Sequence, residues 1–355
     1  MTAPPEKTLL LSIEERWKNY RVQLKACRRE FSEEAVHDLR VAARRLLAVL
    51  DIVRVLDPHP RVQKTRKALK DHLDSLDDLR DIQVMLAGVV ETLEALPQLK
   101  PFVELLHKRE KLNLRSARKQ TKTSHPSELS RRIEKIHGMA EKYSHDEGFN
   151  ARLLGVVDKA FVNALQAYSQ IDASQPGTIH SLRIAFKKFR YMVEIVHPIL
   201  PEYPAPYLKQ MHDYQSMMGV IQDADVLLNA LTDYAESNAS SFDFEPVRRY
   251  HEQCRAKLIA AFLKDKGEIN VFWRKAPDQP YPWEKSHDSV HRPPRNRRGR
   301  GASARRQPAR TDSKGTQQDA QDSQGPEGAG KADRPDPDQP IPSGSADSGH
   351  PGENP

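Results

Sequence analysis

Val36-His37-Asp38-Leu39-Arg40-Val41-Ala42-Ala43-Arg44-Arg45-Leu46 returns 143 residues later as Ile179-His180-Ser181-Leu182-Arg183-Ile184-Ala185-Phe186-Lys187-Lys188-Phe189. What is kept is His-x-x-Arg-x-x-x-basic-basic, with apolar residues in the same gaps. Asp38 becomes Ser181, so the acid is dispensable to the pattern. On a helix, His37, Arg40 and Arg44 fall within a sector of roughly 60°. Val36, Leu39, Ala43, Leu46, Leu50 and Val53 fill a neighbouring stripe about 100° wide, the width of a core-facing surface. The second copy repeats this, with His180, Arg183, Lys187 and Arg190 beside Ile179, Leu182, Phe186, Phe189, Val193 and Val196. Each cationic strip thus borders the core, whereas a merely solvated face would lie opposite it. Two such strips predict a groove between helices that holds an anion, with two halves facing one site.

A second pair of phrases follows. Leu79-Arg80-Asp81-Ile82-Gln83-Val84-Met85-Leu86 matches Ile221-Gln222-Asp223-Ala224-Asp225-Val226-Leu227-Leu228 at an offset of 142, and Lys67 matches Lys209 at the same offset. Arg80-Asp81 and Gln222-Asp223 are expected to be structural, an Asp near the crossing of two basic helices fixing an Arg rotamer. Apolar spacing predicts an all-α fold, with helices near 9–29, 33–56, 61–95, 100–122, 128–144, 150–170, 178–197, 206–236 and 246–265. Ser32 and Ser174 are expected N-caps of the two motif helices. Some 270 residues in two similar halves are enough to bury a sizeable core.

These residues resemble the CHAD family, the conserved histidine α-helical domain. The resemblance rests on His37-x-x-Arg40-x-x-x-Arg44-Arg45, His180-x-x-Arg183-x-x-x-Lys187-Lys188, the Leu-x-x-Leu-Arg-Asp-x-x-Val run at 76–84, and Met218-Gly219-x-x-Gln-Asp-x-Asp-Val. It covers roughly residues 8–270. Asp77 departs from it, standing where the family shows Gly, and Gln222 replaces the Arg seen at Arg80. The resemblance implies two four-helix bundles related by pseudo-twofold symmetry, here an 8–275 domain with halves at 8–145 and 149–275. It also implies inorganic polyphosphate as partner, bound on a basic surface between the halves, and recruitment to polyphosphate granules.

The expected polyphosphate-binding residues are His37, Arg40, Arg44, Arg45, Lys67, His180, Arg183, Lys187, Lys188, Arg190 and Lys209. Arg109, Arg115 and Arg255 join them on helical phase alone. Arg offers a planar fork of paired donors to phosphate oxygens, Lys a movable point charge, and His a ring N–H.

Charge agrees. The chain carries a formal +7 with pI near 9.2. Residues 292–314 hold a net +8 and 315–355 a net −6, so 286–355 contribute only +1 and the helical part is itself basic. The stretch 278–355, rich in Pro, Gly, Ser and Arg and then acidic, is expected to be a disordered tail. Its Arg-rich segment reads either as a flexible anion-binding arm or as a solubilising linker.

No catalytic residue, metal site or cofactor is expected. His37-Asp38 invites comparison with HD-type metal phosphohydrolases, but Asp38 has no counterpart in the second copy and an Arg three residues on repels a divalent cation. No Walker loop, nucleophile elbow or zinc-ligand cluster occurs. The Glu-x-Glu-x-Lys motif of triphosphate tunnel domains, often fused to CHAD domains, is absent too. Cys27 and Cys254 lack metal spacing and are expected to pack as small apolar residues. With no signal peptide and no apolar run of membrane-spanning length, no membrane association is expected, and the cytoplasm is the expected location. The second reading is a nucleic-acid binder using the basic surface and the Arg-rich tail, although the strips are poor in stacking aromatics. The third is a scaffold for acidic protein segments.

Overall fold

A computed structural model describes residues 7–123, 126–200, 202–238 and 243–284. Among these residues there is no strand. The first half forms α1 (Thr8–Glu30), α2 (Glu33–Leu56), α3 (Pro60–Asp74), α4 (Asp77–Val90), α5 (Lys100–Thr123) and α6 (Pro126–Ser144). The second forms α7 (Phe149–Ser169), α8 (Pro176–Val196), α9 (Tyr207–Ser237) and α10 (Glu245–Asp265). The fold is all-α, as the apolar spacing requires.

The two motif helices, α2 and α8, sit at its centre. All six stripe residues of α2 and all six of α8 are buried. Ser32 caps α2, its Oγ accepting the Ala35 N–H at 3.1 Å. The matching expectation for Ser174 fails. Gln175 occupies the N-cap of α8 without a side-chain capping bond, and the Ser174 hydroxyl donates to Asp172 Oδ1 at 2.7 Å instead. Burial on α2 is wider than one stripe, taking in Val41, Ala42, Ala48, Val49 and Ile52, because α2 packs against α1, α3, α7 and α8 at once.

Helix pairing repeats between the halves. α1 packs on α2 as α7 packs on α8, and α4 packs on α5 as α9 packs on α10. One difference separates them. The helix expected at 61–95 is two helices, broken at Ser75–Leu76, whereas α9 runs unbroken over the matching residues. At the break the Ser75 hydroxyl donates to the His72 carbonyl at 2.6 Å and the Leu76 N–H turns to Leu73 O. Asp77 and Asp78 then open α4, where the positive end of the helix dipole favours them.

The apolar core is shared. A large core joins α1, α2, α3 and α6 to α7, α8, α9 and α10, and a smaller one joins α4 and α5 to the far ends of α9 and α10. The chain beyond α10 closes the large core with Phe272, Trp273, Tyr281 and Trp283, all buried. The tail boundary expected at 278 therefore falls inside a packed segment. Tyr281 stacks on Trp283 at 4.5 Å, and Trp283 meets Tyr203 and Tyr207 edge-on. The Arg-rich and acidic parts of the expected tail lie outside the described residues.

Candidate functional site

α2 and α8 cross in contact, and along the crossing opens a cleft of about 260 Å³. Arg44 enters it from α2, and Arg183, Lys187 and Lys188 enter from α8. The two copies of the motif thus supply one depression. Ala48, Ile184 and Tyr191 give it apolar walls, and Asp51 is the carboxylate among its lining residues. Asp51 is already occupied, since it accepts from Arg66 Nε and lies 3.5 Å from Arg54. Two arginines and two lysines converge here, a charge that suits a multivalent anion.

The remaining motif cations are distributed elsewhere. Arg40 is buried, and its guanidinium donates to Asp77. Burial pulls its pKa down to about 10, Arg44 adds to that, and Asp77 and Asp81 oppose it. Asp81 and Asp223 both have carboxyl pKa values raised by burial. Arg183 and Arg80 act against the rise at Asp223, so this carboxylate feels a cation from each half. Arg80 itself bonds Glu33 at 2.8 Å. The acid that holds Arg40 is Asp77, four positions before Asp81.

Arg45 and Arg190 face a different depression, about 530 Å³, which they share with Arg16, His197 and His212. Glu194 draws all three arginines, lying 3.4 Å from Arg45, 3.1 Å from Arg190 and 3.9 Å from Arg16. Arg190 is buried, donates to Gln215 Oε1 at 2.9 Å and lies over the Tyr191 ring. Sequence reading passed over Arg16 and Glu194. Glu194 sits four residues after Arg190, a spacing that pairs charges on a helix, and was the available signal.

His37 is buried, and His180 is half-buried with a hydrogen bond to Gln222. Desolvation, reinforced by Arg183 and Lys187, holds the His180 pKa below its usual value. A lowered pKa leaves this ring neutral near pH 7. Lys67 and Lys209 occupy matching exposed positions, and each bonds an Asp four residues on, Asp71 and Asp213, at 2.7 Å. Arg109 and Arg115 are exposed on α5. Arg255 pairs with Asp225 at 2.9 Å, and Asp225 acts electrostatically on His180.

Among the described residues, no three His, Cys, Asp or Glu side chains group as a metal set, and no helix is long and apolar enough to cross a membrane. A family model described as CHAD domain matches residues 12–232. Among solved structures, the chain is similar to the CHAD domain of the plant Ricinus communis at 17% identity and a TM-score of 0.56. That match covers 76% of this chain and 91% of the plant one. No curated protein matches the sequence.

Proposed function

The chain belongs to the CHAD domain family, and on that premise we propose that it is a non-catalytic binder of inorganic polyphosphate. The polymer lies in the cleft where α2 crosses α8 and is held by Arg44, Arg183, Lys187 and Lys188. One observation carries this reading: cations from both copies of the repeated motif line a single depression whose one carboxylate is already bonded to arginine. The arginines engage non-bridging oxygens in pairs, and the lysines follow the polymer as mobile charges. His180 is half-buried beside Arg183 and Lys187, and it gains a proton more readily once phosphate is near. The protein resides in the cytoplasm, and binding of this kind would bring it to polyphosphate granules.

Competition on the full chain tests the proposal. Long-chain polyphosphate should displace duplex DNA and an acidic peptide of matched charge, and its affinity should fall roughly tenfold or more between about 50 and 200 mM salt. Lys187→Glu should weaken polyphosphate binding roughly tenfold with unchanged helical signal. Equal competition by DNA would transfer the site to nucleic acid. Salt-independent affinity would remove multidentate capture.

A further inference from the structure

A further basic depression, about 330 Å³, lies between the start of α3 and the first half of α6, and it shares no lining residue with the α2–α8 cleft. Arg61 and Lys64 reach it from α3, and Arg131, Arg132 and Lys135 from α6. Glu128 is the carboxylate among its lining residues, and Arg132 bonds it. Arg61, Lys64, Arg131 and Lys135 make no ion pair with any described residue. Several helical cations elsewhere on the surface are locally neutralised, as in Lys67–Asp71, Lys70–Asp74, Lys209–Asp213 and Arg248–Glu252. Here the residues four positions on are Thr65, Ala68, Lys135 and Met139, none of them acidic. An ordinary solvated face would scatter such charges, whereas these converge from two helices on one hollow.

His59 adds to this arrangement. It lines the hollow and caps α3, its Nδ1 accepting the Arg61 N–H at 3.1 Å. That bond leaves the ring proton on Nε2, a further donor. The hollow lies at the small end of the range for ligand sites and can contact only a few phosphate units. With Arg132 held by Glu128, the guanidinium forks of Arg61 and Arg131 and the ammonium groups of Lys64 and Lys135 match the several oxygens and multiple charges of an oligophosphate. We propose that the α3–α6 hollow is a second anion site, taking a compact oligophosphate of di- or triphosphate size. The assignment does not depend on what the α2–α8 cleft binds.

The test uses sodium tripolyphosphate titrated calorimetrically into the full-length Lys187→Glu chain, so that binding at the α2–α8 cleft is already impaired. Adding Arg131→Glu with Lys135→Glu should weaken the remaining binding roughly tenfold or more. Lys64→Glu, an exposed change on the other wall, should weaken it in the same direction and serves if the α6 pair disturbs folding. Unchanged affinity with the α6 pair and with Lys64→Glu would overturn the site. Citrate binding as tightly as tripolyphosphate would overturn the phosphate assignment.

Discussion

Arg40 and Arg183 occupy the same place in the repeated motif yet face different surroundings, and the difference traces to one residue on the neighbouring helix. Asp77 reaches Arg40, whereas the matching position in the second half is Gly219, which has no side chain to offer, and Arg183 lines the cleft. Asp77 thus commits one motif arginine to an ion pair. His72 shows the same control of one group by its surroundings. Its Nδ1 lies 2.7 Å from the Tyr20 hydroxyl, which donates to it, and burial, with Arg28 adding to it, pushes its pKa from 6.5 down to about 4. The folded chain therefore refuses a proton that the unfolded chain accepts. Above pH 6.5 neither state is protonated and there is no effect. As pH falls from 6.5 towards 4 the folded state loses ground, up to about 3 kcal/mol below the folded pKa. Proton-observed titration should give His72 a midpoint near 4, and His72→Gln should flatten urea stability across pH 4–6.5. A midpoint near 6.5 would contradict the account.

At the scale of elements, the α2–α8 crossing converts a repeat in sequence into one depression in space. If a single anion spans it, Arg44→Glu and Lys187→Glu should each lower polyphosphate affinity, while the amount bound at saturation stays constant. The double variant should lose less than the sum of the two, because the second change acts on an anion already displaced from that wall. Each single variant keeping full affinity at half the capacity would mean two separate sites. Both core stripes of these helices were legible beforehand, since the period of apolar residues reports which side of a helix is buried. Depth was not legible. Helical phase put Arg40 and Arg44 on one strip, and Arg45, a further 100° round the helix, turns to a different depression from Arg44. The partners that decide each outcome, Asp77 for Arg40 and Glu194 for Arg45, lie 37 and 149 residues away in sequence. The α3–α4 break escaped for a related reason. Ser75-Leu76 contains neither Pro nor Gly, and only the Ser75 hydroxyl bonding back to His72 marks the stop.

Across the whole molecule, the core ignores the midpoint of the chain, and its last pieces arrive after the helices are finished. The family match ends at residue 232, yet Phe262, Phe272 and Trp273 beyond it are fully buried. Asp158 on α7 fixes this segment. It is buried, and it accepts from Trp273 Nε1 at 2.8 Å and from both ends of the Arg274 fork at 2.9 and 2.8 Å. The Arg274 guanidinium then lies over the Tyr281 ring, which stacks on Trp283. Composition alone set the tail boundary too early, because the Pro-rich sequence around Tyr281 looks like linker while its two aromatics fill the core. Two truncations separate these views. Ending the chain after residue 286 should leave the unfolding temperature unchanged, since Trp283 and its neighbours remain. Ending it after residue 277 removes Tyr281 and Trp283 and exposes the rings of Tyr203, Tyr207 and Trp273 that pack on them. Loss of a buried Trp alone costs about 3–5 kcal/mol, so this shorter chain should melt on the order of 10 °C lower. Identical melting of the two truncated chains would mean that the aromatic strap adds nothing to the core it covers.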